Sequence, residues 1–79
     1  MKIDEFILKF SDAIEYDKQE KLTPEIVFRE LEIWDSLAAM SLIGLIDQEF
    51  RLIIRTDEMK SAHTLKELYD LIQSKIING

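Results

Sequence analysis

The residues best placed for chemistry are Trp34-Asp35-Ser36-Leu37, just short of the middle of a 79-residue chain. An acidic, loop-like stretch ends there and the longest helical apolar pattern begins. A serine at that junction opens a helix with its hydroxyl facing outward. Helix N-termini present unpaired backbone N–H groups and a partial positive charge, so an anion there is stabilised. A phosphate esterified to Ser36 would sit in that favourable field, which is what a phosphodiester-linked prosthetic group requires. The plainer alternative is that Asp35 or Ser36 caps the helix and does nothing else.

No other part of the sequence supplies a reactive set. There is no cysteine, which rules out disulfides, thiolate metal sites and a cysteine nucleophile. The single histidine, His63, has no cysteine or second histidine to join it, and reads as a loop or packing residue rather than a base or ligand. The acidic run Asp17-Lys18-Gln19-Glu20-Lys21 lacks the alternating ligands and central glycine of a calcium loop. With no nucleophile–base–acid constellation and no glycine-rich phosphate loop, the chain is read as a non-enzyme. Any reactive group must come from outside.

Charge narrows the partners. The net charge of −6 repels a phosphate backbone, which argues against nucleic acid and favours basic protein surfaces. Residues 1–35 hold ten Asp/Glu against five Lys/Arg, and residues 36–79 hold six against five, so the excess acidity precedes Ser36. No apolar run approaches the ~20 residues of a membrane span, and the N-terminus has no signal-peptide core. A monomeric cytoplasmic protein of one domain, residues 1–79, is the expectation. At this length only about 60% of the unfolded surface is buried, so the core is thin.

The elements that must position Ser36 follow from periodicity. Ile3, Phe6, Ile7, Phe10 and Ile14 lie on one face of a helix from about Lys2 to Tyr16. From Asp17 to Asp35 the period fails, although Leu22, Ile26, Phe28, Leu31 and Ile33 give this connection apolar anchors that should pack on the core. Thr23-Pro24-Glu25 predicts a short helical turn there. Ser36–Phe50 reads as a strong helix, with Ala39, Leu42 or Ile43, Ile46 and Phe50 inward and Leu37, Met40, Ser41, Gly44, Asp47 and Gln48 outward. Trp34, Leu37 and Met40 form either a small partner-binding patch or part of the core. Gly44 costs ~1 kcal/mol relative to alanine in a helix, and is either a point of close approach or a tolerated defect. Arg51–Thr56 is a packed connection. A short helix then starts with Thr56 or Asp57 as cap, and Thr64-Leu65-Lys66-Glu67 is a capping box opening a last helix to about Ile77.

Taken together, these features resemble the acyl carrier proteins of the phosphopantetheine-dependent carrier family, over nearly the whole chain. The carrying residues are Thr23-Pro24-Glu25, Phe28, Trp34-Asp35-Ser36-Leu37, Glu49-Phe50, Asp57-Glu58-Met59 and Thr64-Leu65. The resemblance implies an all-α fold, a small four-helix bundle of three longer helices and one short, with a long first loop. It implies that Ser36 is esterified with 4′-phosphopantetheine from coenzyme A by a phosphopantetheinyl transferase that reads Asp35 and Leu37. The thiol of the arm would then carry an acyl or aminoacyl group as a thioester, passed among loading and acyl-transfer enzymes that touch Trp34, Leu37, Met40, Gly44 and Asp47. Phe28, Ile43, Ile46, Ile54 and Leu65 would shelter a short acyl chain or simply form the core.

Two departures from the fatty-acid carriers bear on the pathway. The second-helix surface reads Ala38, Ser41, Gly44, Asp47, Gln48, with only Asp47 charged, and Trp34 replaces a small residue. Both speak against bulk fatty-acid synthesis, and Trp34-Asp35-Ser36-Leu37-Ala38 followed by Met40 resembles carriers that serve dedicated polyketide, nonribosomal or surface-sugar pathways. The competing function is an acidic helical adaptor or inhibitor that binds a basic protein without a prosthetic group.

Overall fold

A computed structural model of the chain describes residues 2–16 and 22–78. Among these lie four α-helices: α1 (Ile3–Ala13), α2 (Ser36–Phe50), α3 (Thr56–Lys60) and α4 (Leu65–Asn78). Three are long and one is short, as expected. The acidic run at positions 17–21 falls outside the described residues. No helix among the described residues is long and apolar enough to cross a membrane.

The first helix turns Phe6, Ile7 and Phe10 into the core. It ends earlier than the predicted Tyr16 because the chain reverses at Glu15, whose φ of 56° is left-handed. The Glu15 N–H donates to the Asp12 carbonyl (3.2 Å) and the Tyr16 N–H to the Ser11 carbonyl (2.9 Å). These are the two bonds of a Schellman cap, formed here without the usual glycine.

The connection packs as expected, with Leu22 and Phe28 buried and Ile26, Leu31, Ile33 and Trp34 against the core. Its helical turn is displaced, however. Thr23-Pro24-Glu25 makes a β-turn closed by the Ile26 N–H on the Thr23 carbonyl (3.1 Å), and the helical turn is a 3₁₀ segment at Phe28–Glu30. The reason lies in α4. The Pro24 carbonyl accepts from the Lys66 N–H (2.9 Å) and the Ile26 carbonyl from the Leu65 N–H (3.1 Å). The predicted capping box supplies the other two bonds: the Glu67 N–H donates to Thr64 Oγ1 and the Thr64 N–H to Glu67 Oε1, both 3.1 Å. All four N–H groups that a helix start leaves without intrahelical partners are thereby satisfied.

Arg29 fastens the same connection further along. Its Nη2 donates to the Ala62 carbonyl (3.0 Å) and to His63 Nδ1 (2.8 Å), which places the proton of a neutral His63 on Nε2.

In α2 the buried residues are Ala38, Leu42 and Ile46. This corrects the expected phase by one residue at the N-terminal end: Ala38 points inward, and Ala39 is only half-buried. Leu42 rather than Ile43 occupies the core, and Phe50 is half-buried against Phe6. The start of α3 is also one residue earlier than expected. Thr56 is its first helical residue, and the Glu58 carboxylate accepts the preceding Arg55 N–H at 3.1 Å. Ion pairs join neighbouring helices, Lys9 to Glu49 at 2.9 Å across α1 and α2 and Lys75 to Glu58 across α4 and α3.

Two carboxyls carry the consequence of these bonds. The Lys75 ammonium and the Arg55 amide hold Glu58 below the usual carboxylate range. The Thr64 backbone N–H, followed by its hydroxyl, holds Glu67 low as well. The unfolded chain therefore binds more protons between the depressed native values and the ordinary glutamate value of about 4.3. Stability is full above that ordinary value and falls as the pH drops through the native ones. Urea midpoints at neutral pH and at a pH of about 3.5 should show this loss. Glu67→Gln, which keeps a capping-box residue but cannot titrate, should make the loss smaller.

Candidate functional site

The site begins with the residue that fixes the helix start. Asp35 has extended backbone (φ −150°, ψ −172°), and its carboxylate Oδ1 accepts the Ala38 N–H at 2.8 Å. Its carbonyl accepts the Ala39 N–H at 3.0 Å. Asp35 is thus the cap of α2. Ser36, the first helical residue, is exposed, and no described residue engages its hydroxyl.

Trp34 is held differently from the rest of the expected patch. Its ring stacks on Phe10 (6.3 Å, 11°) and meets Phe28 edge-on (5.2 Å), which leaves it half-buried. Two residues before Ser36, the chain is therefore pinned to the core from α1 and from the 3₁₀ turn. Trp34 acts mainly as an anchor behind the site.

The exposed positions of α2 are Ser36, Leu37, Met40, Gly44, Asp47 and Gln48. The structure thus brings Leu37, Met40, Gly44 and Asp47 onto one outward strip that starts at Ser36. Leu37 is 71% exposed and Met40 68%, so neither is part of the core. Apart from its chain neighbours and the backbone of its own helix, no described atom lies within 4 Å of where a Cβ on Gly44 would stand. The glycine has no packing reason within the chain. Ser41 and Gly44 also edge a groove between α1 and α2, whose α1 side is lined by Lys9 and Asp12.

A phosphate ester fits this position. The hydroxyl is accessible, the first turn of α2 supplies amide dipoles, and the neighbouring carboxylate is already committed to the cap. Leu37 stands beside Ser36, and a shallow recess next to it is lined by Ala13, Ile14, Ile33 and Leu37 together with the polar Glu15, Asp35 and Ser41. Phe28, Ile46, Ile54 and Leu65 are packed core side chains, and Ile43 is half-buried beside them. Sequence reading missed Asp35 as the sole cap; an Asp-Ser pair at a helix start does not reveal which side chain turns inward.

Comparison with known proteins gives the family and the fold. The family described as the phosphopantetheine attachment site matches residues 6–72. The chain belongs to that family. It is therefore a non-catalytic carrier protein with a phosphopantetheine prosthetic group. The fold is that of the acyl carrier proteins. The solution NMR structure of a holo acyl carrier protein from Geobacter metallireducens matches with a TM-score of 0.77 and 24% sequence identity. The match covers 96% of this chain and 86% of that one. No curated protein matches.

Two sets of substitutions test the site's construction, read by urea unfolding. Asp35→Ala should cost about 1 kcal/mol, whereas Asp35→Asn, also a good cap, should cost well under half of that. A loss of phosphopantetheine uptake by the Asn variant would then report the carboxylate's charge rather than the helix start. Gly44→Ala should raise stability by up to about 1 kcal/mol, because the added methyl meets open space.

Proposed function

We propose that Ser36 is the attachment residue and that the chain carries acyl or aminoacyl intermediates for a dedicated biosynthetic pathway. The observation that carries this reading is the division of labour at the start of α2: Asp35 caps the helix, and the exposed Ser36 hydroxyl is engaged by no described residue. When bound, the arm supplies a terminal thiol that holds its cargo as a thioester. The protein's own part is to hold the attachment point rigid, keep it accessible and offer a surface that successive enzymes can grip and release.

On this reading Asp35 and Leu37 are what the phosphopantetheinyl transferase reads. Leu37, Met40, Gly44 and Asp47 meet the loading and acyl-transfer enzymes, with Trp34 bracing them from behind. The strip is small and carries one charge, Asp47, among its exposed positions. Such a surface binds through apolar contact rather than a field of carboxylates, which supports service in a polyketide, nonribosomal or surface-sugar pathway over bulk fatty-acid synthesis. A weak contact suits the task, since tethering the cargo already gives it a high effective concentration at each enzyme.

The test is intact mass after incubation with coenzyme A and a broad-specificity phosphopantetheinyl transferase. Wild type should gain one phosphopantetheine. Ser36→Ala should gain none while keeping the wild-type helical spectrum, because the residue is exposed and is not the cap. Uptake by Ser36→Ala, or no uptake by wild type with several transferases, would sink the assignment.

A further inference from the structure

The link between α2 and α3 carries a surface unlike the rest of the molecule. In Arg51-Leu52-Ile53-Ile54-Arg55, burial alternates as in an extended strand: Leu52 and Ile54 face the core, while Arg51, Ile53 and Arg55 face out. Ile53 is 80% exposed, more than any other large apolar side chain among the described residues. We propose that Arg51, Ile53 and Arg55 form a docking ridge for an extended acidic segment of a partner protein, of the pattern Glu-x-Leu-x-Glu.

Two independent observations lead there. The first is backbone strain. Arg51 ends α2 with φ 55° and ψ 40°, left-handed geometry that favours glycine, and its N–H closes the helix on the Asp47 carbonyl at 2.9 Å. An arginine kept in that conformation points to a use for its side chain. The second is the sign of the charge. The chain carries −6, yet these five residues contain two arginines and no acid. Arg51 makes no ion pair with a described residue; the Arg55 guanidinium pairs with Asp57 at 3.6 Å, both side chains more than three-quarters exposed, and its charge also acts on the nearby Glu58 carboxylate. That loose surface pair holds Arg55 weakly.

Charge complementarity selects an acidic occupant, and the exposed isoleucine asks for an apolar side chain between the acids. Extended residues four apart are separated by about 13 Å, so a five-residue extended segment with carboxylates at both ends would offer one acid to each arginine. The ridge starts one α2 length, about 22 Å, from Ser36. It does not depend on Ser36 being the attachment residue.

The test is titration of the ¹⁵N-labelled protein with the synthetic peptide acetyl-Gly-Glu-Thr-Leu-Thr-Glu-Gly-amide, followed by amide shifts. Shifts should be confined to residues 50–57, occur equally in Ser36→Ala, and be absent with the peptide that has lysine for both glutamates. The double variant Arg51→Glu/Arg55→Glu should weaken binding by about tenfold, and Ile53→Asp should weaken it as well. Arg51→Gly should raise the thermal midpoint while weakening the peptide, which separates the ridge from a structural role. Unchanged affinity in the double variant would overturn the proposal. So would shifts centred on Leu37–Asp47, or a ridge perturbed by phosphatidylglycerol vesicles and not by the peptide.

Discussion

The aromatic contact among Phe10, Phe28 and Trp34 governs how this protein presents its serine. Phe10 and Phe28 are fully buried, one on α1 and one in the 3₁₀ turn, and Trp34 lies against both. Between residue 22 and the start of α2 the only helical segment is the 3₁₀ turn at Phe28–Glu30, so the position of Asp35 and Ser36 depends on what anchors the end of this connection. The indole fixes it. With Trp34 seated, Asp35 falls where its carboxylate reaches the Ala38 amide, and Ser36 is turned outward at the start of a helix. Aromatic pairs of this geometry add specificity beyond the area they bury. Stability and presentation thus share one cause.

Much of this was legible in the residues, and the failures have physical causes. The apolar periods of α1, α2 and α4 located those helices, and Thr64 with Glu67 marked the last helix start. Helix ends were harder. Glu15 and Arg51 both take left-handed backbone without being glycine, so neither announces itself in the sequence. The one-residue phase error in α2 arose because Ala38 and Ala39 are chemically identical; only packing against the other helices separates them. The turn at Thr23-Pro24-Glu25 was misjudged because carbonyls that a helix would have used are taken by amides of α4, about forty residues away. Local propensity carries no trace of such a partner.

The site was more readable than the loop. Ser36, Leu37, Met40, Gly44 and Asp47 were expected on an outward strip, and they lie on one. The isolated exposure of Ile53 was not foreseen, since an apolar run of three suggests packing throughout and gives no sign that alternate members face opposite ways. Trp34 also stacks against Phe10 and Phe28, long-range aromatic contacts that its neighbours in sequence do not announce.

The carbonyls of Pro24 and Ile26 that cap α4 have a consequence for folding order. Two of the four amides at that helix start, those of Leu65 and Lys66, are satisfied by a distant loop, so the helix start is complete only once that loop is in place. Contacts so far apart in sequence carry a loop-closure cost before they contribute anything, so they come late and together. The segment that leads to Ser36 is therefore secured in the same cooperative step as the C-terminal helix. A chain cut within α4 would lose more than that helix: the serine half a molecule away would lose its frame.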